Sequence, residues 1–374
     1  EIAQCLVGSE MCIRDRILRL GLKNYRNCEN IELNFKSRKT LIIGKNAQGK
    51  TNILESVYFL SDLKSPRTST ISDLIQIGKD GFEINATIEK NNTDIELDYC
   101  YNQDKKREIK VNKVKTTPKN FKTVVKTVLF STKDLLLLRG APQDRREWLD
   151  RAISQVYPAY DERLSKYDKI RIQKNNLLKN EIIDNSLLDI FNEQLTVTGA
   201  NIIFLRKKFL KEIAEIASKK HLIISDTENF TLNYTCPYED IEEISGYLRQ
   251  QLEERRREEI ARRQACVGPH RDDIEFKING LDAVKFASQG QQRTIVLSLK
   301  LSELEIIKAK TGFSPILLLD DVLAELDETR QNYLLKSIED DTQTIITSVD
   351  TVLFEDEFLK DVIIYKIEAG RIAE

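Results

Sequence analysis

The chain has 374 residues, enough for a large hydrophobic core and for more than one domain; it is 41% hydrophobic and 32% charged, the balance of a soluble globular protein, and it holds no apolar run near the length of a membrane span, so a membrane role would need a partner. Lys and Arg number 58 against 60 Asp and Glu, a net charge of −2 that neither favours nor excludes nucleic acid, because a local basic face can bind it on a neutral protein. Six cysteines without CxxC spacing argue against a zinc site or a disulfide framework and suit a reducing cytosol, and two histidines, His221 and His270, are too few for a histidine-rich metal site or a hydrolase triad.

The first sixteen residues, EIAQCLVGSEMCIRDR, lack the order of a signal peptide. They read either as an extension foreign to the fold or as an ordinary N-terminal segment. ILRLGLKNYRNCENIELNF alternates about a turn at Asn27-Cys28 and predicts a β-hairpin. KTLIIG predicts a short buried strand ending at Gly44. KTNILESVYFL has helical spacing at Ile53, Leu54, Val57 and Leu60. GFEINATIEK, IELDYCYN and KREIKVNK alternate as an antiparallel meander would. From Asp144 the period becomes 3.6 and glycine nearly vanishes, which predicts two or three long helices interrupted at NEIIDNS. A more polar helix, IEEISGYLRQQLEERRREEIARRQ, closes this block. β-character returns after VGPHRDDIEF, a helix follows SQGQQR, and PILLLDD, QTIITSVD and VIIYKIEAGRI predict the last strands. Strands at both ends and helices between them suggest one α/β domain split by a helical insertion. Its parts are expected at 17–143, 144–264 and 265–374.

Gly44-Lys45-Asn46-Ala47-Gln48-Gly49-Lys50-Thr51 matches GxxxxGK[ST], after a strand and before a helix. Backbone N–H groups of such a loop wrap a β-phosphate, Lys50 reaches the β- and γ-phosphates, and the Thr51 hydroxyl ligates Mg²⁺. The buried strand ILLLDD ends in Asp320, suited to hold Mg²⁺, and Asp321, suited to orient or deprotonate an attacking water. About 270 residues separate the two motifs, so an insertion lies between them. Ser288 can cap the helix that SQGQQR opens, and Gly290 permits close backbone approach there.

The order of P-loop, SxGQ-type signature, acidic strand end, AELD and TSVD resembles that of ABC-type ATPases. LKNYRN, GKNAQGKTNILES, GAPQDRREWLD, VGPHRDD, FASQGQQR and LLLDDVLAELD are most similar to the RecF family of DNA replication and repair ATPases, related to SMC heads. The resemblance runs from about Ile17 to the end. Departures are the N-terminal extension and Pro66, where the family commonly has an aromatic residue. Asp321 replaces the glutamate usual in ABC enzymes but is itself typical of RecF.

The resemblance implies an α/β ABC-type P-loop ATPase head, a mixed sheet with an antiparallel meander, split by a helical arm-like insertion. It implies ATP and Mg²⁺ as cofactors. Nucleotide would be held by Gly44, Asn46, Gly49, Lys50, Thr51, Asn52 and Asp320, with Thr51 and Asp320 on the metal. Two chains would sandwich ATP head to tail, so Ser288, Gly290 and Gln291 act in trans. Lys50, Asp321 and Ser288 would be catalytic, and Asp327 would line the dimer interface. Thr347 or Ser348 would sense γ-phosphate, and Gln76 is a candidate for the Q-loop glutamine. Aspartate is shorter than glutamate, which predicts slow hydrolysis and a long-lived clamp. Implied partners are double-stranded DNA, single-strand/double-strand junctions, a second copy and mediators of the RecO/RecR type, without a membrane. Candidate DNA contacts are Lys105, Lys106 and Arg107 at a hairpin turn and Arg139, Arg145 and Arg146 at the entry to the helical block. Each group also reads as a solvated turn or as ion pairs. EERRREEIARRQ reads as a solvated face. His270, Arg271 and Asp272 read as site residues or as a structural turn, and Trp148 as packing. An ABC transporter's nucleotide-binding subunit and a small-molecule P-loop kinase are the competing readings; the meander after the P-loop, GPHRDD and the size of the helical insertion argue against the first, and SQGQQR with AELD, which a kinase would not need, against the second.

Overall fold

A computed structural model describes residues 16–104 and 106–373. In chain order the strands and helices are β1 (Arg16–Tyr25), β2 (Cys28–Asn34), β3 (Lys39–Ile43), α1 (Lys50–Asp62), β4 (Gly81–Lys90), β5 (Thr93–Asn102), β6 (Arg107–Val111), β7 (Val114–Lys115), α2 (Pro118–Phe121), β8 (Thr127–Ser131), α3 (Leu136–Arg139), α4 (Pro142–Val156), α5 (Tyr160–Leu178), α6 (Asn185–Ser225), β9 (Phe230–Tyr234), α7 (Ile241–Glu254), α8 (Arg256–Arg262), β10 (Ile274–Ile278), β11 (Leu281–Asp282), α9 (Ala283–Phe286), α10 (Gln289–Thr311), β12 (Ile316–Asp320), α11 (Glu328–Lys336), β13 (Thr344–Ser348), α12 (Asp356–Leu359), β14 (Val362–Glu368) and β15 (Arg371–Ile372). The described residues up to Thr132, with those from Ile307 onward, form one compact unit, and Lys133–Ile306 form the other.

The first unit holds two of the three sheets found among the described residues. One is antiparallel, in the order β2-β1-β4-β5-β6-β7. Its strands alternate buried and exposed residues because one face packs inward; β4 buries Phe82, Ile84, Ala86 and Ile88 and turns the residues between them outward. The β1–β2 turn is Arg26-Asn27, one residue earlier than the pattern suggested, with Tyr25 opposite Cys28 and Arg26 left-handed at φ 54°. The other sheet runs β15-β14-β3-β13-β12-β8 and is parallel except at β15. Its middle strands are covered on both faces, so LLL of β12 and TIITS of β13 are continuously buried. The core of this unit includes Phe59 of α1 packed edge-on against Phe82 and Tyr99, with ring centroids 6.3 and 4.7 Å away.

The second unit is the helical insertion with a three-stranded sheet, β11-β10-β9. The long helix α6 spans 41 residues; the Asp184 carboxylate caps its start by accepting from the Leu187 N–H at 3.1 Å, and Asp226 ends it in a left-handed conformation at φ 62°. Tyr157, which precedes Pro158, separates α4 from α5, as the steric demand of proline on its predecessor requires. The polar helix expected over IEEISGYLRQQLEERRREEIARRQ is two helices, α7 and α8. They break at Arg255, which pairs with Glu258 at 2.7 Å and donates to the Cys266 carbonyl at 3.1 Å. Strand β9, which the sequence reading left unassigned, pairs antiparallel with β10. Among the described residues no helix is long and apolar enough to cross a membrane.

Candidate functional site

In the first unit the parallel strands deliver Gly44, Ser348 and Asp320 to their carboxyl ends, where open α/β sheets bind ligands. The loop leaving β3 is held close. The Gly44 N–H donates to the Ser348 carbonyl at 3.3 Å, and a Cβ on Gly44 would lie 2.4 Å from the Ile367 carbonyl oxygen. Gly49 precedes α1 at φ 113°, and a Cβ there would lie 2.7 Å from Asn27 Oδ1. These two positions require glycine. Lys50 is 3% exposed, and its ammonium donates to the Gly44 carbonyl at 2.7 Å and the Lys45 carbonyl at 3.3 Å. Asn46 is exposed on the loop.

Thr51, the second residue of α1, donates its hydroxyl to Asp320 Oδ1 at 2.9 Å. Thr347, at the end of β13, donates to the same oxygen at 3.0 Å and accepts the Asp321 N–H at 2.9 Å. Between Thr347 and Ser348, Thr347 is therefore the one whose side chain meets the acidic pair; Ser348 contributes its carbonyl. Burial raises the Asp320 carboxyl above its usual range, against the opposing pull of the Thr51 and Thr347 hydroxyls, and the neighbouring Asp321 charge adds to the rise. Asp321 is left-handed at φ 52°, an unusual backbone that turns the chain sharply after β12. Together these side chains offer an ammonium, two hydroxyls and two carboxylates around one loop, the donor set for a phosphate and a hard cation.

A network that the sequence reading missed surrounds the loop. Asn52 donates to Asn27 Oδ1 at 2.7 Å, and Asn27 donates to the Gln48 carbonyl at 3.2 Å. Arg67 donates to Asn52 Oδ1 at 2.6 Å and lies 3.5 Å from Glu55. The buried Glu55 carboxylate accepts two bonds from Arg26, at 3.0 and 2.7 Å, and one from the Ser65 hydroxyl. The signal was present in LKNYRN and SPRTS, whose polar residues sit beside turns, but nothing in spacing joins segments so far apart. Gln76 pairs its N–H with the Asn24 carbonyl at 2.8 Å. Its Oε1 is buried with no hydrogen-bond partner among the described residues. Asp327 caps α11 by accepting the Arg330 N–H at 3.0 Å; burial opposes its charge, and the bonds from Arg330 prevail and hold its carboxyl below the usual range.

The signature residues lie in the second unit. Ser288 and Gln291 form a reciprocal cap: the Ser288 N–H donates to Gln291 Oε1 at 2.8 Å, and the Gln291 N–H donates to Ser288 Oγ at 3.2 Å. Ser288 is exposed and Gly290 half-buried. Of the arginines expected on a nucleic-acid surface, Arg145 is unavailable. It is buried, bonded to Asp273 at 2.7 and 2.9 Å, and donates to the Leu137 carbonyl at 3.2 Å. Arg146 is half-buried and donates to the Asp272 carbonyl at 2.6 Å. Arg139 is exposed but holds Gln292 Oε1 at 2.7 Å. In the first unit Lys106 and Arg107 are exposed at the β5–β6 turn; Lys105 lies outside the described residues.

GPHRDD folds as a turn whose polar side chains are held by hydrogen bonds within the second unit. Burial drives the His270 imidazole down to about 3, so it is neutral; its Nε2–H donates to the Ala265 carbonyl at 3.2 Å and Nδ1 accepts from the Tyr167 hydroxyl at 2.7 Å. Arg271 donates to the Ala265 carbonyl at 3.3 Å, and Asp272 accepts from the Tyr234 hydroxyl at 2.8 Å. Trp148 is buried and donates to Glu303 at 3.3 Å.

Comparison with known proteins places these features in a family. Residues 16–372 match the RecF/RecN/SMC N terminal domain. The DNA replication and repair protein RecF of Natranaerobius thermophilus is 41% identical over 350 residues, covering 89% of this chain and 91% of its own length. The solved structure of the recombination mediator protein RecF-ATP in the RecFOR pathway agrees with a TM-score of 0.89 at 32% identity, covering 98% of this chain and 99% of that one. The Smc head domain of Pyrococcus furiosus, solved with an extended coiled coil bound to the C-terminal domain of ScpA, agrees in fold with a TM-score of 0.56 at 15% identity, covering 96% of this chain and 95% of that one.

Proposed function

We propose that this chain, which belongs to the RecF family of DNA replication and repair proteins, is a weak, DNA-stimulated ATPase whose ATP-induced head-to-tail dimer acts as a clamp on DNA and helps load recombinase at gaps. The observation that carries this reading is the trio Thr51, Asp320 and Thr347, joined by hydrogen bonds of 2.9 and 3.0 Å at the carboxyl ends of parallel strands, with the buried Lys50 ammonium on the adjoining loop, 2.7 Å from the Gly44 carbonyl. ATP and Mg²⁺ fit these residues. A side chain at Gly44 would strike the Ile367 carbonyl and one at Gly49 the Asn27 amide, so both glycines are needed for the loop to keep its shape. Thr51 and Asp320 present oxygen ligands, the kind a hard divalent cation takes. Bound Mg²⁺ would neutralise charge on the β- and γ-phosphates. Asn46 and Gly49 present backbone N–H groups to the phosphates, Gly44 shapes the start of the loop with its own N–H on the Ser348 carbonyl, and Lys50 leaves its two carbonyl partners for the phosphates. Asn52, tied to Asn27 and Arg67, fixes the start of α1.

Asp321 orients or deprotonates the attacking water, and Thr347 links it to Asp320 through the Asp321 N–H. Ser288, Gly290 and Gln291 of one copy meet the γ-phosphate held by the other, with Asp327 at the interface. Hydrolysis is slow because the aspartate side chain reaches less far than glutamate. DNA partners are duplex and single-strand/double-strand junctions, and protein partners are mediators of the RecO/RecR type. The test is solution mass with and without ATP and Mg²⁺, in the Asp321→Asn background that suppresses turnover, then with double-stranded DNA. A monomer should become a dimer, hold DNA more tightly as a dimer, and lose both properties with Ser288→Arg. A protein that binds ATP and stays monomeric, with DNA affinity unmoved by nucleotide, overturns the reading.

A further inference from the structure

The amide of Gln291 is fixed at both ends. Its Oε1 accepts the Ser288 N–H at 2.8 Å, and its Nε2 donates to Glu228 Oε1 at 2.7 Å. Glu228 stands three residues beyond the end of α6 and is itself held. His221 Nε2 donates to its other oxygen at 3.0 Å, and its N–H donates to the Ser225 hydroxyl at 3.3 Å. His221 is fully buried and lies against the Phe230 ring, with centroids 5.0 Å apart. All of these residues belong to the second unit.

A side-chain amide has two faces of opposite character: Oε1 only accepts and Nε2 only donates. If the Gln291 amide turned over, its oxygen would face the Glu228 carboxylate and its NH₂ would face the Ser288 N–H, donor against donor. Glu228 therefore selects the orientation in which Oε1 caps Ser288. That cap fixes the backbone of the serine that opens α10.

We infer that Glu228 is a positioning residue for the signature: by accepting from Gln291 Nε2 it orients the amide that holds Ser288 in place to meet nucleotide on a second copy. This rests on the reading of SQGQQR as the surface that acts in trans. It ties the start of α10 to the end of the longest helix, α6, through one carboxylate.

The experiment uses the full chain with Glu228→Leu, Glu228→Gln and Glu228→Lys, beside Ser288→Arg. ATP affinity of the monomer, ATP-dependent dimerisation and the separate values of kcat and KM are measured for each. ATP affinity stays within about twofold throughout, because the P-loop is untouched, and this also reports that the variants fold. Glu228→Leu weakens dimerisation by about tenfold, the worth of one hydrogen bond to a charged group, and lowers kcat in step. Glu228→Lys, a donor facing the amide, turns Gln291 over and is at least as damaging. Glu228→Gln still offers an acceptor, and a neutral imidazole at His221 can meet its NH₂, so dimerisation recovers to within about threefold of the parent. If Glu228→Leu dimerises normally, or Glu228→Gln fails as badly as Glu228→Leu, the positioning role is overturned. If instead Ser288→Arg dimerises normally, it is the trans-acting signature that falls.

Discussion

Asp320 carries the clearest sign of function at the scale of a single residue. Burial and Asp321 lift its carboxyl above the ordinary range, so its charged form is less favourable in the folded protein than in the unfolded chain. A raised carboxyl costs stability at any pH where the unfolded group is ionised, and that cost vanishes when the charge is removed. Asp320→Asn keeps an oxygen for the Thr51 and Thr347 hydroxyls and loses the charge. Its thermal midpoint without nucleotide should therefore rise, while Mg²⁺-dependent ATP binding is lost; a lower midpoint would mean that the charge stabilises the empty site. His270 works in the other direction. Its folded value of about 3 lies below the ordinary 6.5, so the unfolded chain binds a proton that the native turn refuses. Stability from this group is intact above pH 6.5 and is lost as pH falls towards 3, at roughly 1.4 kcal/mol per pH unit. His270→Gln can keep the bonds to Tyr167 and Ala265 without titrating. Urea unfolding at pH 7 and pH 5 should show the parent losing about 2 kcal/mol more than the variant between the two; equal losses would place the acid sensitivity elsewhere.

Between elements, buried ion pairs fasten the helical insertion. Lys174 of α5 lies 2.6 Å from Glu259 of α8, and both side chains are almost fully inaccessible. Burial lowers the Lys174 ammonium from its usual range, and Glu259 opposes that fall. Glu259 also accepts the Cys266 N–H at 2.8 Å, so the carboxylate cannot leave without stranding a backbone donor. Lys174→Met leaves the Glu259 charge buried without its cation and should cost about 3–5 kcal/mol, read as the denaturant midpoint. Adding Glu259→Gln should recover a large part, and no recovery would mean that the pair is not coupled. This lock was illegible in the sequence, where EERRREE looks like solvated charge and the buried glutamate is indistinguishable from its exposed neighbours. The phosphate loop was legible because its chemistry is local: glycines, lysine and threonine within eight residues between a strand and a helix. The split α/β head was legible in the switch from period 2 to period 3.6 and back. The Glu55–Arg26–Arg67 network and the burial of Arg145 depend on contacts across tens to over a hundred positions, which periodicity does not encode.

For the molecule as a whole, the net charge of −2 means that DNA binding has to be local. From 106 to 126 the sequence carries eight Lys and Arg against one acid, Glu108. This stretch includes β6 and β7, and β7 closes one edge of the antiparallel sheet. Part of its charge is already engaged: Lys110 with Glu108 at 3.2 Å, Lys113 with Glu96 at 3.5 Å and Lys122 with Asp62 at 3.3 Å. Lys106 and Arg107 are exposed at the turn. If they contact phosphates, each releases counterions, and the slope of log affinity against log salt carries about 0.9 per contact. Lys106→Ala with Arg107→Ala should lower that slope by up to about 1.8, weaken binding alike on every duplex sequence, and leave ATP affinity unchanged. Arg257→Ala, which removes an exposed charge from the helical insertion, should leave the slope as it is. An unchanged slope in the double variant would remove the β5–β6 turn from the DNA path, because a contact that releases no counterions is not a phosphate contact.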